Sequence, residues 1–459
     1  MDPMNNPDDG FWTERRSGES SCNDFRTAWH RDFGRVVHSA AFRRLQGKTQ
    51  ILGVDNGDFH RTRLTHTLEV SQIGLAIRKK LEKDCKKSSQ KKEWQNWLPN
   101  PLLIQAICLA HDLGHPPFGH GGEVALNRCM VKNGGFEGNG QTLRIITKLE
   151  KYVKGMGMDL TRRAVLGVIK YPARYSDVVN KEKCYPDNLH SLTSKPVFKA
   201  SEFKPPKCYL DEEDAIVRNW LVKDQLQDEW PKVSKVIKKP GKHKTTKYKS
   251  LDASIMDLAD DIAYGVHDLE DAIALRLINR QKFYQWFDDC NYRKERLEPI
   301  LEKKKFEGKL ETLVEQLFGK THCRKRTIGR MVGFFVDAVE IGKVDGFQHP
   351  LFRYRAELNN ESRNALDVLK EVATDLVIKS TEVQQLEFKG QKIVTELFHA
   401  FDTDPDRLLE PVNRKKIQKK SDKKKRVICD YIAGMTDDYA ITRYRQLFVP
   451  RAGSVFDKL

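Results

Sequence analysis

The feature that most constrains this chain is a helical period that recurs along its length with no competing alternation. His66, Val70, Ile73 and Ile77 fall at 4-3-4 spacing within Leu64–Leu81, which stripes one face of a helix. Pro101 opens a second helix, PLLIQAICLAHD, with Ile104, Cys108 and His111 on one side. Proline suits a first helical turn, where its missing N–H has no partner to lose. Gly114, Pro116 and Pro117 then end that helix. Leu251–Ile278 and much of 362–402 read as long helices, and Leu210–Gln227 as a further helical segment. No sustained strand pattern or internal repeat interrupts them. The expectation is an all-α fold.

The organisation follows from the breaks in that pattern. Residues 1–24 are polar and rich in Pro, Gly and Asp, which predicts a loose, flexible tail. Residues 25–280 form the helical core. It carries an irregular insert at about 175–250: a Pro-, Lys- and Ser-rich excursion over 175–210 with a short hairpin, and a basic loop over 232–249. Residues 281–459 form a helical C-terminal part expected to complete the site and to supply oligomer contacts.

Composition narrows the functional classes. Of 459 residues, 39% are apolar, enough for a sizeable core, and 32% are charged. No apolar run approaches the roughly 18 residues a membrane helix needs. The N-terminus lacks a basic-then-apolar leader, so the expected place is the cytoplasm, away from any membrane. Nine scattered cysteines with no Cys-x-x-Cys pair argue against a disulfide framework or a thiolate zinc site and for buried free thiols. A net charge of +17 favours anionic partners without naming one. Its runs at 79–92, 232–249, 303–305 and 414–426 carry few aromatic residues, so each reads first as a solvated face.

Two segments suggest chemistry. A histidine on an apolar face is more often a satisfied core residue than a ligand. However, an apolar helix running straight into His111 and Asp112 and then Gly-His-Pro-Pro is costly as pure structure. With His66 and with Asp260 in SIMDLADDIAYGVHDLED, it offers two imidazoles and two carboxylates. That set suits Mg²⁺, Mn²⁺ or another borderline-to-hard divalent ion. Spacing alone leaves core packing and metal binding evenly balanced.

The pattern His66…His111-Asp112…Asp260 resembles the HD-domain phosphohydrolases. Within them, RTAWHRDFGRVVHSAAFRRLQGKTQI, RTRLTHTLEVSQIG, HDLGHPPFGHGGE, FEGNGQTLRI, LADDIAYGVHDLED and YIAGMTDDYAITRYRQLF resemble the deoxyguanosine triphosphate triphosphohydrolases, or dGTPases. These segments lie between residues 26 and 448, so the resemblance spans nearly the whole chain. It implies a metal-dependent enzyme that splits a deoxynucleoside triphosphate, first of all dGTP, into the nucleoside and inorganic triphosphate.

The resemblance also implies roles. His66, His111, Asp112 and Asp260 hold the divalent ion, Mg²⁺ or Mn²⁺ in the first instance. His120 is catalytic, with Glu123 orienting it from three residues on. Arg63 and His115 face the α-phosphate, and Lys170 and Tyr171 the outer phosphates. Tyr264 floors the deoxyribose, and Asp268 and Gln46 bind its 3′ hydroxyl. Asn139 and Gln141 line the same cavity without an assigned role. Asp261 stands where relatives carry a lysine and removes one phosphate contact. No G-x-x-x-x-G-K-[ST] loop is present, so a triphosphate must be held by metal and cationic side chains. The resemblance further implies homo-oligomers, hexamers among them, and stimulation by nucleotides or single-stranded DNA, for which Arg443, Arg445 and the 414–426 run are the expected residues. Two alternatives remain: another HD-type phosphohydrolase acting on nucleic acid or other nucleotides, and a binding protein with an inert HD core.

Overall fold

The computed structural model describes residues 10–19, 25–50, 61–87, 92–180, 182, 198–302, 309–419 and 421–450. The architecture is all-α, with two small antiparallel sheets among the described residues. The first stripe forms the helix Arg63–Lys87, which buries Val70, Ile73, Ile77 and Leu81 completely or nearly so. The helix Pro101–Ala110 packs against it. Its start is set by the Asn100 side chain, which accepts from the Leu102 N–H at 2.9 Å. A third helix, Leu251–Ala274, capped by Ser250 on Ala253 N–H at 3.1 Å, lies across both. These three helices form the centre of the large apolar core.

The C-terminal part closes over them. Asn360–Ala373 packs on Leu251–Ala274, and Thr381–Thr403 packs on Gly119–Met130. Lys424–Ala433 and Asp437–Phe448 complete a second apolar cluster with Thr381–Thr403. No helix among the described residues is long and apolar enough to cross a membrane. The described cysteines (Cys85, Cys108, Cys129, Cys208, Cys290, Cys323 and Cys429) are free, and four of them are buried.

Several expectations give way. The loose tail does not extend over residues 10–19. Gly10–Thr13 forms a helical turn, Trp12 is 1% exposed and stacks edge-on against Trp97, and Arg15 pairs with buried Asp32 at 2.8 Å. One tryptophan and one paired arginine suffice to dock a polar segment. Residues 1–9 and 20–24 lie outside the described residues. The hairpin falls inside the expected basic loop, as β1 (Val236–Ile237) against β2 (Thr245–Thr246). Within 175–210 the described part holds a helical turn, Tyr175–Val178, and main-chain bonds at Tyr209, which donates to the Ala173 carbonyl and accepts from the Tyr175 N–H, while 181 and 183–197 lie outside the described residues. Helical turns cover Asp211–Leu221 only, short of Gln227. A second hairpin, β3 (Val339–Lys343) with β4 (Tyr354–Leu358), has no counterpart in the sequence reading. Its strands are too short for alternation to stand out, and the pair is fixed from outside by the Ala356 N–H on Ser254 Oγ at 2.8 Å.

Two glycines bring helices to the site. A Cβ at Gly114 would lie 2.1 Å from the Gly138 carbonyl oxygen, so only glycine lets the helix Gly138–Arg144 approach. At Gly390 a Cβ would lie 2.4 Å from that of Phe118, whose own φ of +61° is left-handed and rare for a bulky residue. We expect Gly390→Ala to cost about 1–3 kcal/mol through overpacking. The reading is a lower urea midpoint at unchanged slope, and an unaltered midpoint would refute the close approach.

Candidate active site

The four expected ligand residues come together from three helices. Ligand atoms of His66, His111 and Asp112 all lie within 4.8 Å of one another, and the three residues are buried. Asp260 Oδ1 is 3.2 Å from His66 Nε2 and 3.7 Å from His111 Nε2. His111 Nδ1 is 2.7 Å from the Cys108 carbonyl oxygen, which can only accept, so Nδ1 carries the proton. That leaves Nε2 turned into the cluster, buried and without a hydrogen-bond partner among the described residues. An orphaned imidazole nitrogen among carboxylates fits a divalent cation.

The electrostatics agree. Burial disfavours a charged His111, but Asp112 and Asp260 outweigh it and raise the imidazole to about 9. Burial likewise works against Asp260, yet Lys170, His111 and His66 hold its carboxyl well below the usual range. Asp112 is held down in the same way by His115, His111 and Arg63. The site is thus built around ionised carboxylates that favour a nearby positive charge. One contact does not fit a loaded site. Arg61 donates to His66 Nδ1 at 2.9 Å, whereas coordination through Nε2 needs the ring proton on Nδ1.

Around this cluster lies a cavity of ≈ 420 Å³. His115 Nδ1 sits 3.0 Å from Asp112 Oδ1, and burial and Arg63 keep its imidazole below the usual value. Arg63 lines the cavity while its Nη1 donates to Asp112 at 2.7 Å, so it supports the cluster as well as facing the cavity. His120 stands at the mouth with its side chain 63% exposed, and its Nδ1 is 3.2 Å from Glu123 Oε2. Glu123 is buried and accepts from the Gly138 N–H at 2.9 Å. Burial opposes its charge, but Lys207 and His120 keep its carboxyl well below the usual range. Lys170 reaches Asp257 at 2.6 Å and Asp260 at 2.9 Å, and Tyr171 lines the cavity beside it. Tyr264 and Asp268 line the wall one and two turns beyond Asp260. Asp268 is engaged by Arg61, and burial pushes its carboxyl up.

Some expected residues stand elsewhere. Gln46 is exposed in the short helical turn Leu45–Gly47 and is not part of the cavity wall. Gln50, four residues on, lines the wall with a buried Oε1 that has no partner among the described residues. Asn139 lines the cavity, but Gln141 is turned away and donates to Asp430 at 3.1 Å. Arg443 is buried and donates to the Leu408 carbonyl, so it offers no surface for DNA, whereas Arg445 is exposed. Within 414–426, Arg426 is buried against Glu212 and Lys424 pairs with Asp402, so part of that run is structural.

The wall also contains cations that sequence reasoning missed. Lys207 sits 2.8 Å from Glu137 and 3.5 Å from Glu123. Lys370 and Lys389 come from the C-terminal helices. The acid Asp261, expected only to remove a phosphate contact, holds Lys370 at 2.7 Å and Arg363 at 2.9 Å. Asp437 ties the C-terminal helices to the HD core here. Its Oδ1 accepts from the Phe118 N–H at 2.9 Å and its Oδ2 from the Thr49 N–H at 3.0 Å.

A buried His-His-Asp cluster with an adjoining aspartate, set on three helices of an all-α core beside a cation-rich cavity, defines a hydrolase of the HD phosphohydrolase type. HD domains bind divalent metal ions, and the HD domain family matches residues 63–183. The phosphohydrolase-associated domain matches residues 356–446. The chain is 46% identical to a deoxyguanosinetriphosphate triphosphohydrolase-like protein of Shewanella pealeana, over 98% of both chains. It is 45% identical to that of Shewanella halifaxensis, over 97% of this chain and 98% of the relative, and 44% identical to that of Shewanella woodyi, again over 97% and 98%. The chain belongs to the family of deoxyguanosinetriphosphate triphosphohydrolase-like proteins.

Proposed function

We propose that this protein hydrolyses deoxynucleoside triphosphates, dGTP first among them, to the deoxynucleoside and inorganic triphosphate. The observation that carries this reading is one cavity lined by the metal-type cluster, by His120 and by Lys170, Lys207, Lys370 and Lys389, with buried Glu123 behind His120. That wall offers a general acid–base at one point and several fixed positive charges for an extended polyphosphate, without a glycine-rich loop.

In this reading His66, His111, Asp112 and Asp260 hold Mg²⁺ or Mn²⁺. The bound ion would supply Lewis-acid charge at the α-phosphate. Arg63 and His115 face that phosphate, and Lys170 and Tyr171 the outer ones. A water oxygen bonds to the α-phosphorus as the bond to the 5′ oxygen breaks, and that oxygen leaves as the nucleoside hydroxyl. His120, steadied at Nδ1 by Glu123, has Nε2 free to hold or hand over the proton that balances this exchange. Tyr264 floors the deoxyribose and Asp268 meets its 3′ hydroxyl. Gln50, rather than Gln46, is the glutamine we assign to the wall. A core over 25–280, completed by 281–459 in a cytoplasmic homo-oligomer, is the working arrangement that goes with this reading.

The test is product analysis. The protein is incubated with Mn²⁺ or Mg²⁺ and each dNTP, and products are separated by ion-exchange chromatography. Nucleoside and intact triphosphate are expected, with dGTP the fastest. Nucleoside diphosphate, or monophosphate with pyrophosphate, would place the broken bond elsewhere and reject the reading.

A further inference from the structure

The wall of the cavity is shaped by a residue that does not touch it. The helix Asn360–Ala373 does not end cleanly but widens into a π-helical turn over Thr374–Ile378, closed by the Lys379 N–H on the Thr374 carbonyl at 3.0 Å. Such single wide turns recur at functional sites because the added residue re-aims a side chain. Here Lys370 and Ile378, on either side of Thr374, line the cavity, while Thr374 stands behind them. Its Oγ1 is 2.9 Å from the Lys370 carbonyl oxygen and 3.2 Å from the Tyr264 hydroxyl. A threonine hydroxyl has one proton, and the carbonyl can only accept, so that proton goes to Lys370. The Tyr264 O–H must therefore be the donor to Thr374 Oγ1. Tyr264 is half-buried on the cavity wall, midway between Asp260 and Asp268 on one helix face. Thr374 Oγ1 is thus an anchor for the far end of this ring.

We infer that Thr374 is a positioning residue for sugar selection: its hydroxyl holds the Tyr264 ring in place and so sets how strongly the site prefers deoxy- over ribonucleotides. The inference rests on the reading of Tyr264 as the floor under the sugar. A ring pinned at its hydroxyl cannot tilt to admit an added 2′ oxygen, whereas an unpinned ring can. The threonine acts only through the tyrosine, and the bent helix end puts it within reach.

The experiment compares kcat/KM for dGTP and GTP in the full-length protein and four variants. Thr374→Val removes the anchor while nearly keeping the shape. We expect the dGTP-to-GTP ratio to fall roughly three- to tenfold, about the worth of one buried hydrogen bond. Thr374→Ser keeps the hydroxyl and should keep the ratio. Tyr264→Phe deletes the same bond from the other side, so it should lower the ratio similarly, and the double variant should fall no further. It also keeps the test alive if Thr374→Val folds poorly. An unchanged ratio in both single variants, or equal losses on both nucleotides, would overturn the inference. A wild-type protein with no triphosphohydrolase activity on any dNTP would instead overturn the proposed function, so the two failures are distinguishable.

Discussion

Replacing His111 with alanine is expected to abolish metal retention and turnover together. His111 Nε2 is buried in the cluster with no hydrogen-bond partner among the described residues, and its ring is aimed by the Nδ1 contact to the Cys108 carbonyl at 2.7 Å. Alanine removes a donor whose orientation was already built in, and it leaves Asp112 and Asp260 facing each other with one fewer positive or metal-bound neighbour. A metal-stabilised transition state is worth several kcal/mol, so kcat should fall by at least roughly a thousandfold. Metal content by inductively coupled plasma mass spectrometry after dialysis should drop in parallel. Asp112→Asn should do the same and also release Arg63 and His115, which both rest on that carboxylate. Circular dichroism separates this from unfolding. Full metal content with full turnover in His111→Ala would reject the assignment of the cluster.

Replacing His120 with alanine should separate chemistry from metal binding. The residue is exposed at the mouth of the cavity and touches none of the four cluster residues through a hydrogen bond or ion pair among those described. We expect kcat to fall about 10²- to 10⁴-fold, the usual worth of general acid–base help, with metal content unchanged. Glu123→Gln should act through the same histidine. Glu123 is a buried carboxylate whose Oε2 lies 3.2 Å from His120 Nδ1; burial opposes its charge, but Lys207 and His120 hold it well below the usual range. A neutral amide keeps the shape but weakens the charge-assisted contact that orients the ring, so kcat should fall with metal content unchanged. A His120→Ala protein with unreduced kcat would remove it from the chemistry.

Much of the candidate site was legible because the motifs that carry the resemblance hold their pairs locally. His111 and Asp112 are adjacent, His120 and Glu123 are three apart, and Asp260, Tyr264 and Asp268 are four apart on one helix. Helical geometry fixes which of these share a face before any tertiary contact forms. The misses share the opposite property. Gln46 and Gln50 both follow the first described helices, and only the packing of the Lys48–Gln50 segment against His115, Ala433 and Asp437 decides which one meets the cavity. Arg443 looked like a surface cation until Leu408 and Gln446 were found around it. Trp12 looked like part of a tail because the partners that bury it, Trp97 and His349, lie far along the chain.

The amino-acid sequence by itself determined most of the helices and the apolar stripe that carries His66 inward, and its likeness to a known motif singled out the residues that converge at the cluster. Periodicity of 3.6 residues is a local property, and burying each stripe leaves the helices few ways to pack. Only the tertiary structure decided what surrounds the cluster. Lys207, Lys370 and Lys389 reach the cavity from segments remote from the HD motif, and Thr374 reaches Tyr264 across 110 residues through a widened helical turn. Nothing in a charge or a hydroxyl announces its partner at that distance. Its place follows from how the helices that carry it pack, and packing is settled by the whole core at once.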